Sequence, residues 1–397
     1  MTGRAPAPAR LLSPGFIALA AAALAFFIAG GLVLPIAPRF VKFALGGDGF
    51  GVGIGIGSFS VAALLLRPAV GWSSDRFGRR PLLIGGSLLT VAALALHLVA
   101  NDLAVFIVAR SLLGAGEGFF FVAALAAASD IAPEERRGEA ISFLSLSLYL
   151  GVAIGPPIAE ALFAAGSYTV VWIAAIATAL VATALSFLVP ESAPAVTNPV
   201  AGPKPRGPLI HPAGIFPGVI VLLGLWGMAG FLTYLPLYAP SVGLASSGLP
   251  FTAYALVVVG LRIVGARWPD RFGAARLSGA ALAVSAVGLA IIGLVSTPLG
   301  LMVGTVTFAC GVAFTMPALL ALAVSRVVPS ERGTVVGTTV LFLDLVFGFA
   351  PVVLGAIADR FSYGPTFLVG AALAGAACLL VVARRVSLAP PPARVTG

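Results

Sequence analysis

Twelve apolar runs, each about 18 to 26 residues long, divide this sequence: 14–37, 50–70, 81–99, 103–128, 139–163, 168–189, 213–238, 250–266, 277–296, 299–324, 333–357 and 364–383. A hydrocarbon core about 30 Å thick is crossed by about 20 helical residues. Within lipid every backbone polar group must be paired, which leaves helices or a closed barrel. Barrel strands are only about 9–11 residues long, so the run length excludes the barrel. A hydrophobic content of 60% agrees with this reading, because soluble domains sit near 45–50%. The fold expected is an all-α membrane protein with twelve transmembrane helices.

Two stretches test the assignment. GFGVGIGIG (49–57) alternates glycine with apolar residues as a strand does, yet it lies inside an unbroken apolar run. At helical spacing, Gly49, Gly53 and Gly57 form one groove and Gly51 and Gly55 another, each admitting a close neighbour. Residues 1–30 look like a signal peptide, with Arg4 and Arg10 ahead of an apolar run; that run continues to Pro35 and Pro38, so an uncleaved first span is expected.

The distribution of charge gives the orientation. With the N-terminus in the cytoplasm and the spans alternating, 19 of the 23 Lys and Arg fall on cytoplasmic segments, and only Arg39, Lys42 and Arg360 lie outside. That is a strong positive-inside bias, and it accounts for the net charge of +9 without a nucleic-acid partner. Both termini are expected in the cytoplasm, in an inner (cytoplasmic) membrane.

The chain repeats itself at an offset of 195 residues. LLLRPAVGWSSDRFGRR (64–80) returns as VVGLRIVGARWPDRFGAAR (258–276), matching Arg67 to Arg262, Asp75 to Asp270, Arg76 to Arg271, Phe77 to Phe272 and Gly78 to Gly273. Gly138 falls on Gly333 and Pro156 on Pro351. The expected organisation is two pseudo-symmetric six-helix bundles, 1–189 and 213–397, joined by a proline-rich cytoplasmic linker at 190–212.

Six plus six spans in parallel halves resemble the major facilitator superfamily, and the motifs sharpen the likeness. GWSSDRFGRRPL resembles that family's loop motif between spans 2 and 3. RSLLGAGEG (110–118) resembles its span 4 motif of an arginine followed by spaced glycines, and GGLVLPIAP (30–38) is similar to a span 1 pattern of drug-efflux branches. GVAIGPPIAE (151–160) resembles the span 5 signature of antiporters through Gly151, Gly155 and Pro156. Ala159 and Glu160 stand where the closing glycines would be. The resemblance implies alternating access, a span 5 hinge, and a cytoplasmic latch in which Asp75 meets the N-terminal end of span 11. Gly71 and Gly78 would permit its tight turn, with Arg76, Arg79 and Arg271 around it and Asp270 and Gly273 in the second copy. A helix N-terminus stabilises such a carboxylate by about 0.3 to 1 kcal/mol, a magnitude suited to a reversible switch. A basic loop serving only as a topology anchor is the plainer reading.

Charge inside the spans is the sharper clue, because an ionised residue at the bilayer centre costs about 2.5 to 3.5 kcal/mol even on the lenient insertion scale. Glu117 sits near the middle of span 4, and Arg110, seven residues earlier, lies about 20° away around the helix and roughly 10 Å along it. Phe121 extends this face. Asp344 lies in the middle of span 11; at the 195-residue offset it stands where the first half has Tyr149, and Glu117 stands where the second half has Val312. The duplicated scaffold therefore demands neither carboxylate. A carboxylate between desolvation and a nearby cation can take up and release a proton as water access alternates. Glu117 is the expected proton carrier, modulated by Arg110, with Asp344 a second carrier or the counter-charge of a cationic substrate; a static ion pair that fixes helix packing is the alternative. Phe26, Phe121, Tyr149, Trp226, Tyr234 and Phe314 are candidate cavity aromatics.

No nucleotide loop, cofactor fingerprint or metal-ligand spacing is present, so neither an enzyme nor a bound cofactor or metal is expected. His97, near the outer end of span 3, reads as packing or interface, and Glu160 as an interface residue at the outer end of span 5. Cys310 and Cys378 lie within spans and read as small apolar fillers. The partners expected are a small-molecule solute, protons and the bilayer, with the monomer as the functional unit. Proton-coupled efflux leads; proton-coupled uptake and a non-transporting membrane sensor are the alternatives.

Overall fold

A computed structural model describes residues 11–192, 210–325, 327–328 and 331–387, and among them every regular element is helical. The first half contains α1 (Pro14–Val33), α2 (Gly49–Phe77), α3 (Arg79–His97), α4 (Leu103–Ile131), α5 (Arg137–Ala165) and α6 (Tyr168–Ser186). Past a turn at Leu34 and Pro35, α1 is prolonged by Ile36–Arg39 and a π-turn, Phe40–Ala44. The second half contains α7 (Pro212–Gly224 and, beyond a break at Leu225, Trp226–Ser241), α8 (Gly248–Val264), α9 (Ala274–Leu294), α10 (Pro298–Val324), α11 (Arg332–Phe361) and α12 (Tyr363–Ser387). Among the described residues eleven helices are long and apolar enough to cross a membrane; α8, at 17 residues, is the short twelfth and is followed by the small helix Trp268–Phe272. Most of the linker expected at 190–212 lies outside the described residues, as do Arg4, Arg10, Lys204, Arg206, Arg326 and Arg394.

Polar residues at helix starts satisfy the N–H groups that a first turn leaves unpaired. Ser13 Oγ accepts from Phe16 N at the start of α1, Asp48 from Gly51 N in α2, Asp102 from Val105 N in α4, and Thr297 from Gly300 N in α10.

The packing obeys the 195-residue offset. In the first half, α1 packs on α5 and α6, α2 on α4, and α3 on α4 and α6. In the second half α7 packs on α11 and α12, α8 on α10, and α9 on α10 and α12, the same pairs six helices on. The halves meet through α2 against α11 and α5 against α8, a pair of interfaces that exchange under the same operation.

Glycines make these crossings close. A Cβ on Gly49, Gly53 or Gly57 would strike backbone atoms of Gly355, Pro351 or Gly348 on α11, and one on Gly55 would meet the Phe106 ring of α4. The two glycine grooves of α2 thus hold different helices, α11 from the other half and α4 from its own. The bundle has a basic end, carrying Arg76, Arg79, Arg80, Arg136, Arg137, Arg267, Arg271 and Arg276, and a far end, carrying Asp48, Asp102 and Asp359.

Candidate functional site

Small residues position α4. A Cβ on Gly114 would enter the backbone of Phe59 on α2, and one on Gly116 would strike Gly86 and Thr90 on α3. This clamps α4 between α2 and α3. Arg110 is buried, with its guanidinium 4.9 Å from the centre of the Phe59 ring and its Nε without a hydrogen-bond partner among the described residues. Glu117 is half-buried and, among the described residues, forms no ion pair; the charges that act on it are those of Arg110 and Asp344.

Asp344 of α11 forms an ion pair with Arg67 of α2, across the interface between the halves. On the other interface, the Arg262 guanidinium of α8 lies 4.4 Å from the centre of the Tyr149 ring of α5, and its Nε donates to Ala313 O at 3.2 Å. Arg67 matches Arg262 and Asp344 matches Tyr149 at the offset of 195, so these are two versions of one contact. The offset already held this information: each match is visible in the sequence, but only the fold joins the two residues of each pair. The versions differ in charge balance: the first is neutral and the second keeps a net positive charge. A cation–π contact contributes about 0.5 to 2 kcal/mol. The Arg67 side chain is 43% exposed, so solvent screens the ion pair and holds its contribution to about 1 kcal/mol or less. At 1.5 Å per residue, Glu117, Arg67, Asp344, Tyr149 and Arg262 all lie roughly 21 to 27 Å from the far ends of their helices, in one layer.

Beyond this layer the far end is drawn together. Arg39 Nη1 lies 2.7 Å from Glu160 Oε2 within the first half, and Arg39 Nε donates to Pro236 O of the second half at 3.1 Å. Ser247 of the second half donates to Glu160 Oε1 from its N–H at 3.1 Å and from its hydroxyl at 2.6 Å. Asp359 accepts from Gly49 N and Phe50 N, and the Tyr234 hydroxyl donates toward Gly49 O and Pro351 O. Glu160, read from sequence as an interface residue, is buried and is the hub of this cluster. The only sequence signal was its departure from the glycine expected at that place.

A family model described as Major Facilitator Superfamily matches residues 19–351 and 241–397. The chain belongs to the major facilitator superfamily. It is similar to an uncharacterized MFS-type transporter of Salmonella typhimurium, 27% identical over 379 residues that cover 92% of this chain and 96% of the relative. Its fold is similar to that of a POT family transporter (TM-score 0.78, 12% identity, 95% of this chain and 97% of the other). It also resembles the inward open xylose transporter XylE from E. coli (TM-score 0.75, 15% identity, 92% and 95%). The protein is a membrane transporter of this superfamily and not an enzyme.

Within that superfamily fold, the motif read from sequence as a loop is instead the last two turns of α2, a single non-helical residue at Gly78 and the start of α3. Gly78 and its counterpart Gly273 turn the chain with φ of 88° and 82°, a region that strains any side chain, which explains why glycine stands at both. Arg79 Nε reaches Asp130 at 3.2 Å, Arg79 N donates to Glu191 Oε1, and Arg80 donates to Phe187 O. The motif is thereby tied to the basic ends of α4 and α6 in its own half. Arg76 lies over the Phe77 ring and Arg271 over the Phe272 ring. Gly71, Asp75 and Asp270 are all helical, so Gly71 makes no turn and only Gly78 does; the side chains of Asp75 and Asp270 lie outside the described residues.

The span 5 and span 1 motifs come together. A Cβ on Gly151 would strike Phe27, and one on Gly155 would enter the backbone of Gly31, so the α1–α5 crossing is made of residues from both patterns, beside buried Pro156. The candidate aromatics divide. Tyr149, Phe121 and Trp226 are partly exposed. Phe26 is buried, stacked on Phe120 at 4.0 Å between ring centres; Phe314 is buried, stacked on Trp268 at 4.9 Å; Tyr234 is fully buried in the far-end cluster. His97 is buried between Phe106 and Trp172, with Nδ1 2.8 Å from Ala93 O. Cys378 Sγ donates to Gly279 O.

Proposed function

We propose that this transporter exports a small organic solute in exchange for protons, across an inner membrane with its basic end and both termini in the cytoplasm. The observation that carries the reading is Glu117: a carboxylate at the middle of α4, without an ion pair among the described residues, under the influence of Arg110 and Asp344. A charge at that depth is costly and is retained where it works. Glu117 carries the proton, Arg110 on the same helix face sets how readily it does so, and Asp344 serves in the Arg67 contact between halves.

The two six-helix units, 1–189 and 213–397, rock about this layer as monomers. In the described state the far end is closed through Arg39, Glu160, Ser247 and Asp359, and solute enters from the basic end. The α1–α5 crossing at Gly31, Gly151 and Gly155 is the hinge, Phe121, Tyr149 and Trp226 line the path, and the end of α2 around Asp75 latches the basic end when the far end opens. Phe26, Tyr234 and Phe314 pack the walls behind that path. Export follows from the span 1 and span 5 patterns that meet at the hinge. Proton-coupled uptake is the second reading, favoured by Ala159 and Glu160 in place of the antiporter glycines.

Proteoliposomes with an internal pH dye test the coupling. Addition of a transported solute is expected to move protons opposite to the solute, and Glu117→Gln to abolish the proton signal while the protein still folds. Protons that move with the solute would select uptake, and an undiminished signal in Glu117→Gln would remove this residue from the role.

A further inference from the structure

Two charges of the interior layer, Glu117 and Arg262, form no ion pair among the described residues. Arg67 has Asp344, and Arg110 shares its helix face with Glu117. Arg262 has no acidic partner among the described residues: the place its symmetry demands for a carboxylate is held by Tyr149. Its Nε is engaged by Ala313 O, and its two terminal nitrogens form no hydrogen bond among the described residues.

A second observation points to the same place. Tyr254, two turns before Arg262 on α8, is 1% exposed, and its hydroxyl has no hydrogen-bond partner among the described residues. The neighbours that act on this hydroxyl are Tyr149 and Arg262. A buried polar group without a partner is costly, and in native proteins it calls for an explanation such as a water or a bound group. Guanidinium N–H groups donate only, and a phenol O–H can donate to an anion held beside it. The cluster thus offers several donors, one net positive charge and no anion.

We propose that Arg262, with Tyr149 and Tyr254, binds a carboxylate group of the transported solute, which makes the cargo an organic anion. The proposal rests on the transport reading above but not on its direction or its coupling ion. It also explains the asymmetry of the duplicated contact. In the first-half version, Asp344 fills the anion's place permanently and leaves a clamp; in the second, the place is open to a ligand. Geometry favours a carboxylate, since one planar guanidinium with two free terminal nitrogens matches one planar oxyanion.

The test uses the full chain in phosphatidylcholine nanodiscs, which supply no net anionic headgroup. Benzoate, octanoate and glutarate are compared with their neutral amides and with the corresponding amines, and binding is read as ligand-dependent thermal stabilisation. At least one carboxylate is expected to stabilise the protein while its amide and amine do not. Its half-saturating concentration should rise roughly tenfold or more in Arg262→Gln, and less in Arg262→Lys, since the loss is that of a charge-assisted hydrogen bond. Tyr149→Asp, which rebuilds the Arg67–Asp344 arrangement on this side, is expected to abolish the effect without removing the arginine. If Arg262→Gln misfolds, Tyr149→Asp alone decides, because it restores an ion pair already tolerated at the symmetric site.

No stabilisation by any carboxylate, equal stabilisation by the amines, or an unimpaired Tyr149→Asp would each overturn the proposal. So would competition by phosphatidylglycerol at mole fractions that saturate the effect, which would assign the donors to lipid. The coupling reading is tested apart from it: carboxylate movement without proton movement in proteoliposomes removes the proton role and leaves this one standing.

Discussion

Glu160 tests whether the far-end cluster is a gate or only a brace. It is 9% exposed, pairs with Arg39 at 2.7 Å, and accepts two hydrogen bonds from Ser247 across the halves. Glu160→Ala leaves Arg39, itself 8% exposed, with only its bond to Pro236 O, and leaves the Ser247 N–H without its acceptor. Stripping one partner from a buried pair costs about 3 to 5 kcal/mol. The lower figure applies here, because opening the far end would hydrate Arg39 and relieve the loss. At 1.4 kcal/mol per factor of ten, about 3 kcal/mol shifts the closed-to-open ratio on the order of a hundredfold toward open.

Spin labels at Leu98 and Leu299, exposed positions at the far ends of α3 and α10 in opposite halves, report this opening in double electron–electron resonance. Cys310 and Cys378 are first replaced by alanine so that only the labels react. Glu160→Ala is expected to add a longer-distance population, and Glu160→Gln a smaller one, since its amide oxygen still accepts from Ser247. The double variant Arg39→Ala/Glu160→Ala should recover part of the closed population, because the stranded cation is gone. An unchanged distance distribution in Glu160→Ala, accompanied only by a lower melting temperature, would refute the gate and leave a structural staple.

Two other outcomes follow from the packing. Gly53→Val places a branched side chain where even a Cβ meets the Pro351 carbonyl and Val352 Cα, so it should destabilise by about 1 to 3 kcal/mol, read as reduced melting temperature, whereas Gly30→Ala, with open space around it, should be near neutral. A double-mutant cycle on Arg67→Gln and Asp344→Asn should give a coupling of only about 1 kcal/mol or less, because the Arg67 side chain is 43% exposed and solvent screens the pair; thermal denaturation of the four proteins measures it.

The helical membrane fold was legible because apolar run length has few physical solutions, and the two-fold design was legible because duplication leaves matched residues at a constant offset. Gly49, Gly53 and Gly57 could be read as a close-packing groove from spacing alone, but not which helix fills it, since a groove of hydrogen atoms fits any neighbour. The limits lie at long-range contacts between ordinary residues. Arg39, Glu160 and Ser247 share no motif and are separated by 121 and 87 residues, so only the folded chain brings them together. Tyr234 was legible as aromatic but not as buried, because the Pro351 carbonyl that accepts its hydroxyl belongs to a helix more than a hundred residues away.

The duplicated contact unites these levels. A gene duplication that kept Arg67 and Arg262 but let their partners diverge to Asp344 and Tyr149 gives each interface a different electrostatic character on the same backbone frame. An ion pair across α2 and α11 neutralises its arginine; a cation over an aromatic ring across α5 and α8 holds its arginine in place and leaves the charge free to meet another. If the halves rock about the layer that contains both, the two sides respond unequally to an anion, and binding can bias the motion only through the side that is not already neutralised. The asymmetry is therefore where a symmetric scaffold acquires sensitivity to its cargo, and restoring symmetry at residue 149 should remove that sensitivity while keeping the fold.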